Sequence, residues 1–122
     1  MEYLVQMRLS SSARPMSPDD GIKFIKEIVL PTLEQCEKLQ KDKKILSGGP
    51  MIGAFALALI VTAESAQELD DLIMSLPVWS RMETEVTPLT TFDGRRRSAL
   101  SMPETLGKRA REAEVSRPGG GE

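Results

Sequence analysis

No histidine occurs among the 122 residues, so proton transfer near neutral pH must run through a carboxylate, lysine, tyrosine, serine, cysteine or backbone group. Under that constraint the natural base is a carboxylate whose pKa is raised inside an apolar pocket. Glu27 is the first candidate. Pro31, one helical turn later, removes the amide that would bond the Glu27 carbonyl and opens the helix locally. Glu34, two turns beyond Glu27, is the alternate. Both residues also fit ordinary solvated charges on a helix face. Arg8 ends the first strand-like run beside Gln6 on the same face, where a guanidinium could clamp a carboxylate or carbonyl bidentately. A surface or dimer-edge ion pair is the alternative for Arg8, with Glu83 or Glu85 of the last strand as the cross-strand partner.

Ser47-Gly48-Gly49-Pro50 is the most site-like stretch on the strands. Glycines admit a ligand or a second backbone at close range, and unpaired amides there could face an oxyanion. A β-bulge that bends the sheet is the alternative. No Gly-Lys-Ser/Thr follows, so this is not a phosphate loop. Phe55 and Trp79 are expected to fill core or pocket wall, as ligand-contacting surface or as packing. Cys36 falls on an apolar helical stripe and reads as a small buried hydrophobe. With one cysteine and no histidine, neither a zinc site needing imidazole nor an all-cysteine metal site is available, and no cofactor is expected.

The elements that must position these residues are legible from periodicity. Residues 2–9 alternate as a strand, with Tyr3, Val5, Met7 and Leu9 on one face and Leu4, Gln6 and Arg8 on the other. Ser17-Pro18 starts a helix that an apolar stripe (Ile22, Ile25, Ile28, Val29, Leu33, Cys36, Leu39) carries to about residue 42, kinked or split at Pro31. A β-like run follows from Lys43. Gly53 is expected to begin the next strand, 54–61, apolar at nearly every position and so covered on both faces. Ser65 and Glu68 form a capping box for a second helix with Leu69, Leu72, Ile73 and Leu76 inward. A fourth strand is expected at about 82–92. The order β-α-β-β-α-β predicts an α+β, ferredoxin-like fold: a four-stranded antiparallel sheet with two helices on one face. The uncovered face predicts a homodimer.

The charge is divided unevenly. Residues 1–94 hold nine basic and fourteen acidic side chains, and residues 95–122 hold seven basic and four acidic. An acidic body is poorly suited to gripping phosphates, so no nucleic-acid partner is expected. The longest apolar run, 54–61, is too short to span a bilayer, and no membrane partner is expected. No signal peptide is expected, and a lone cysteine fits a reducing, cytoplasmic setting. Residues 95–122, with Arg95-Arg96-Arg97 and a Pro-Gly-Gly-Gly-Glu end, are expected to form a mostly disordered basic tail after a 1–94 domain, with a short helix near 103–114.

One segment carries a family resemblance: Glu68-Leu69, then Leu76-Pro77-Val78-Trp79, then Met82-Glu83-Thr84-Glu85-Val86. It resembles the muconolactone delta-isomerase family, whose second helix is followed by Leu-Pro-Leu-Phe, then Met, an acidic residue and Glu-Val. The resemblance spans roughly residues 1–92 and implies a dimeric α+β barrel, often assembled into larger rings, with a small-molecule pocket between the sheet and its helices. The activity it implies is a cofactor-free proton shift on an unsaturated lactone in aromatic-compound catabolism. That chemistry needs a base near the carbon acid and donors facing the enolate-like oxygen. The chain departs from the isomerases on the second strand: Leu46-Ser47-Gly48-Gly49-Pro50 stands where they have Arg-His-Leu-Trp-Arg. A Gly-Gly-Pro strand is similar to YCII-like proteins and to cofactor-independent monooxygenases of the same fold. The fold is therefore expected to carry over and muconolactone itself is not. A non-catalytic ligand-binding protein and a monooxygenase are the alternatives.

Overall fold

A computed structural model describes residues 1–15 and 17–116 and divides the chain into two compact units, Met1–Leu89 and the segment from Thr90 onward. In the first unit the strands are β1 (Glu2–Leu9), β2 (Ile45–Pro50), β3 (Ala56–Thr62) and β4 (Met82–Leu89). They form one antiparallel sheet in the order β2-β3-β1-β4, the expected ferredoxin-like arrangement. The first helical stretch comprises α1 (Pro18–Phe24), a π-helical turn over Ile25–Val29 and α2 (Leu30–Lys41), and the second is α3 (Ala66–Met74). The inward residues of β1 and β3 (Val5, Met7, Leu57, Leu59, Val61) pack with Leu69, Leu72, Ile73 and Leu76, and Ile28, Cys36 and Leu39 border that cluster. α2 and α3 therefore cover the same face of the sheet.

Pro31 acts as a widener rather than a breaker. The Leu30 amide reaches back five residues to the Ile25 carbonyl, the bond that defines a π turn. Widening the turn relieves the proline ring against the preceding backbone. It also changes which residues face inward. Phe24 and Thr32 are buried and Ile28 and Cys36 are half-buried, a series of four-residue steps, whereas Ile22 and Ile25 of the expected stripe are exposed. A strict 3.6-residue period cannot anticipate that shift of phase.

The capping signals behave as read. Ser17 Oγ accepts the Asp20 amide, and Ser65 Oγ accepts the Glu68 amide, each at 3.1 Å. Glu68 returns the contact one residue further out, accepting the Glu64 amide at 3.1 Å and pairing with Lys44 at 3.3 Å. Two boundaries and the covering of β3 differ from expectation. Gly53 lies in the β2–β3 turn at φ 79°, so β3 starts at Ala56. β4 ends at Leu89, just after Pro88. Helices shield only one face of β3; on the other, Ala58 and Ile60 are half-buried.

The second unit corrects the expectation of a disordered tail. Phe92–Ser116 is one helix, α4, with Pro103 inside it. Thr91 Oγ1 accepts the Gly94 amide at 2.9 Å, and Asp93 in the first turn pairs with Arg96 at 2.6 Å and Arg97 at 3.2 Å. These i,i+3 and i,i+4 contacts turn the arginine run into helix support. The remainder of the expected tail, 117–122, lies outside the described residues.

Candidate functional site

An open cleft of ≈ 580 Å³ lies beside the first helix, and its walls come from three places in the chain. The loop after β1 supplies Ser12 to Pro15. The α1–π stretch supplies Asp20, Lys23, Phe24, Glu27 and Ile28. The 3-10 turn Trp79–Arg81, ahead of β4, supplies Arg81. Glu27 sits within the π turn itself, a helical irregularity common at functional sites.

Three cations, Arg14, Lys23 and Arg81, and two carboxylates, Asp20 and Glu27, line this cleft. Among the described residues no ion pair within 4 Å joins any of these three cations to a carboxylate. The Arg81 guanidinium lies 5.6 Å from the centroid of the buried Phe24 ring, a cation–π distance. Phe24 in turn meets Phe55 edge-on, with centroids 6.2 Å apart and planes at 73°. Glu27 is exposed, so the apolar enclosure expected around it is absent.

The other expected site residues are dispersed. Glu34 is exposed on α2 and does not line the Glu27 cleft or the three other clefts described below. Two turns of a regular helix would align it with Glu27, but the π turn breaks that phase. Arg8 lies on the helix-free face of the sheet, opposite Glu83 in register, with Gln6 opposite Glu85. These four residues and Thr84 line a second cleft of ≈ 400 Å³. Arg8 also borders a third, of ≈ 510 Å³, with Arg14, Pro15, Gly53, Ala54 and Phe55.

Ser47-Gly48-Gly49 falls at a register irregularity between β2 and β3. Gly48 has φ 106°, and a Cβ there would stand 2.1 Å from the Ala58 carbonyl oxygen. Its close neighbour is thus another backbone. Gly48 and Gly49 nevertheless border a groove of ≈ 310 Å³ against α2, with Cys36 and Leu33 on the facing wall. Burial pushes the Cys36 thiol above its ordinary range, keeping it protonated. Trp79 and Phe55 do not fill the core: they are 40% and 56% exposed, while Leu76 and Val78 are the buried anchors of the Leu-Pro-Val-Trp segment. Trp79 lines none of these four clefts, whereas Phe55 forms a wall of the third.

Sequence reasoning missed Arg14, Lys23 and Arg81. Lys23 had a signal, since it precedes Glu27 by one turn. Arg81 had none, because its approach to the first helix is made by tertiary folding alone.

The model of the muconolactone delta-isomerase family matches residues 1–94. The chain belongs to the muconolactone delta-isomerase family. No curated protein sequence matches it significantly. Among solved structures, muconolactone isomerase is similar at 22% identity and a TM-score of 0.59, covering 75% of this chain and 90% of that one. The 5-chloro-2-hydroxyhydroquinone dehydrochlorinase of Burkholderia phenoliruptrix AC1100, solved with 2,5-dihydroxybenzoquinone, is similar at 23% identity and a TM-score of 0.56, covering 77% and 98%. Both likenesses are of fold. The family match ends at residue 94, close to the boundary between the two compact units, so α4 lies almost wholly beyond it. Among the described residues no cluster of three or more His, Cys, Asp or Glu side chains could hold a metal ion.

Proposed function

We propose that this member of the muconolactone delta-isomerase family moves a proton, without a cofactor, on an unsaturated lactone or a related catabolic intermediate. The observation that carries the reading is the placement of Glu27, in a π turn, on a ligand-sized cleft with three cations. The Glu27 carboxylate takes a proton from the saturated ring carbon, and the C–H electron pair spreads into the conjugated carbonyl as a dienolate. The proton returns at the far carbon, so the double bond moves and no net oxidation occurs. Lys23, one turn before Glu27 on the cleft wall, is assigned to the dienolate oxygen, where a cation lowers the barrier most. Arg8, Glu34, Ser47, Gly48, Gly49, Phe55 and Trp79 have no part in this step.

Solvent deuterium exchange into muconolactone, followed by NMR, tests the reading. Exchange that disappears in Glu27→Gln supports the reading; no exchange at high enzyme concentration removes this substrate. The exposure of Glu27 favours a second reading, a non-catalytic small-ligand-binding protein, for which binding without exchange is the signature.

The same reading includes a homodimer or higher homo-oligomer built through the helix-free sheet face. Leu4, Ala58 and Ile60 are half-buried there. Arg8 beside Glu83 gives that face both charge signs, so a two-fold axis can set cation against carboxylate. No helix among the described residues is long and apolar enough to cross a membrane. The lone Cys36 fits a reducing, cytoplasmic setting.

A further inference from the structure

Arg81 is the one cleft cation delivered by the Leu-Pro-Val-Trp segment, and it is held differently from the other two. Its amide donates to the Val78 carbonyl at 2.8 Å, and its carbonyl accepts the Ser10 amide at 3.0 Å. Val78 is 2% exposed, so the backbone under Arg81 is tied to the core on one side and to the end of β1 on the other. The side chain then crosses to the first helix, where the Phe24 ring lies under the guanidinium at 5.6 Å. The ring itself is fixed, 5% exposed and braced edge-on by Phe55. A guanidinium drawn to an aromatic ring by cation–π attraction still has N–H donors to offer, and a planar fork matches a carboxylate bidentately. No carboxylate within 4 Å satisfies that edge among the described residues. Lys23 offers only a flexible point charge, and Arg14 sits on a loop. Arg81 is therefore the pre-organised donor of the cleft.

We propose that Arg81 is the specificity-determining residue of this site: it binds a carboxylate on the substrate and thereby orients the carbon acid toward Glu27. This rests on the reading of the cleft as the substrate site. It makes the ligand a carboxylate-bearing small molecule and assigns a function to the turn that follows Leu-Pro-Val-Trp, in addition to its structural one.

Isothermal titration of the full chain with muconolactone and with its methyl ester separates the terms. The expected result is that the carboxylate binds at least about tenfold tighter than the ester, as a charge-assisted bidentate contact implies. In Arg81→Gln that ratio collapses towards one. Arg81→Lys recovers part of it, having the charge without the fork. Arg81 is exposed, so both of its variants are expected to fold, which circular dichroism checks. An unchanged ratio in Arg81→Gln overturns the proposal, as does a wild-type chain that binds the two probes equally or binds neither. Loss of proton exchange with the ratio intact removes the isomerase reading and leaves the role of Arg81 standing.

Discussion

The Thr32 hydroxyl joins the first helix to the Leu-Pro-Val-Trp segment: it accepts the buried Val78 amide at 3.2 Å while donating to the Ile28 carbonyl at 2.7 Å. Thr32 is 2% exposed, and these partners lie 46 and 4 residues away in sequence. One side chain thus bonds a carbonyl within the widened turn and fixes the start of the turn that carries Arg81. Thr32→Val keeps the shape and removes both bonds, leaving the Val78 amide unsatisfied. A loss of about 1–3 kcal/mol in urea unfolding is expected, with much of it recovered in Thr32→Ser.

Glu27→Gln preserves volume and removes the base. If Glu27 takes the proton, kcat falls by about 10²-fold or more while KM changes little, since general-base catalysis contributes on that scale. Steady-state rates on muconolactone, with exchange as the parallel readout, check this.

Glu68 gives a pH dependence with a definite sign. The Glu64 amide, and after it Lys44, hold its carboxyl below the ordinary carboxylate range. Its folded pKa is therefore lower than its unfolded one. The stabilisation is present above the unfolded value and is lost as pH falls through the folded value. Wild type should exceed Glu68→Gln in stability at neutral pH, and the gap should close on acidification below the usual carboxylate pKa. Denaturation midpoints across that acid range provide the check.

Gly48→Ala should destabilise the chain by more than about 1 kcal/mol, because its left-handed backbone disfavours a side chain. The new Cβ would also meet the Ala58 carbonyl, a backbone atom that cannot swing aside. Gly49→Ala is the control: its Cβ meets nothing within 4 Å. Thermal melts of the two variants should separate clearly.

Leu4→Glu places a charge on the helix-free face of the central strand β1. If two such faces meet, light scattering should show the wild type as a dimer or larger and the variant shifted to monomer. Arg8→Glu should act in the same direction, by setting like charges against Glu83 and its two-fold mate.

The sequence by itself determined the strands and caps, which are local matters, and their β-α-β-β-α-β order left one antiparallel sheet as the natural closure. Alternation in β1, the Ser17 and Ser65 caps, and the apolar stripe of α3 each follow from neighbours a few residues apart. It also singled out Glu27, since Pro31 marks the weak turn of the helix. Three matters waited for tertiary structure. A π turn shifts the inward face of the first helix, where Phe24 and Thr32 are buried, and Glu34 does not line the cleft that Glu27 does. The bond from Val78 to Thr32 closes over 46 residues, a distance that no periodicity encodes. Arg81 reaches Glu27's cleft only because β1, the first helix and the turn before β4 converge there, so the cationic character of the site was invisible along the chain.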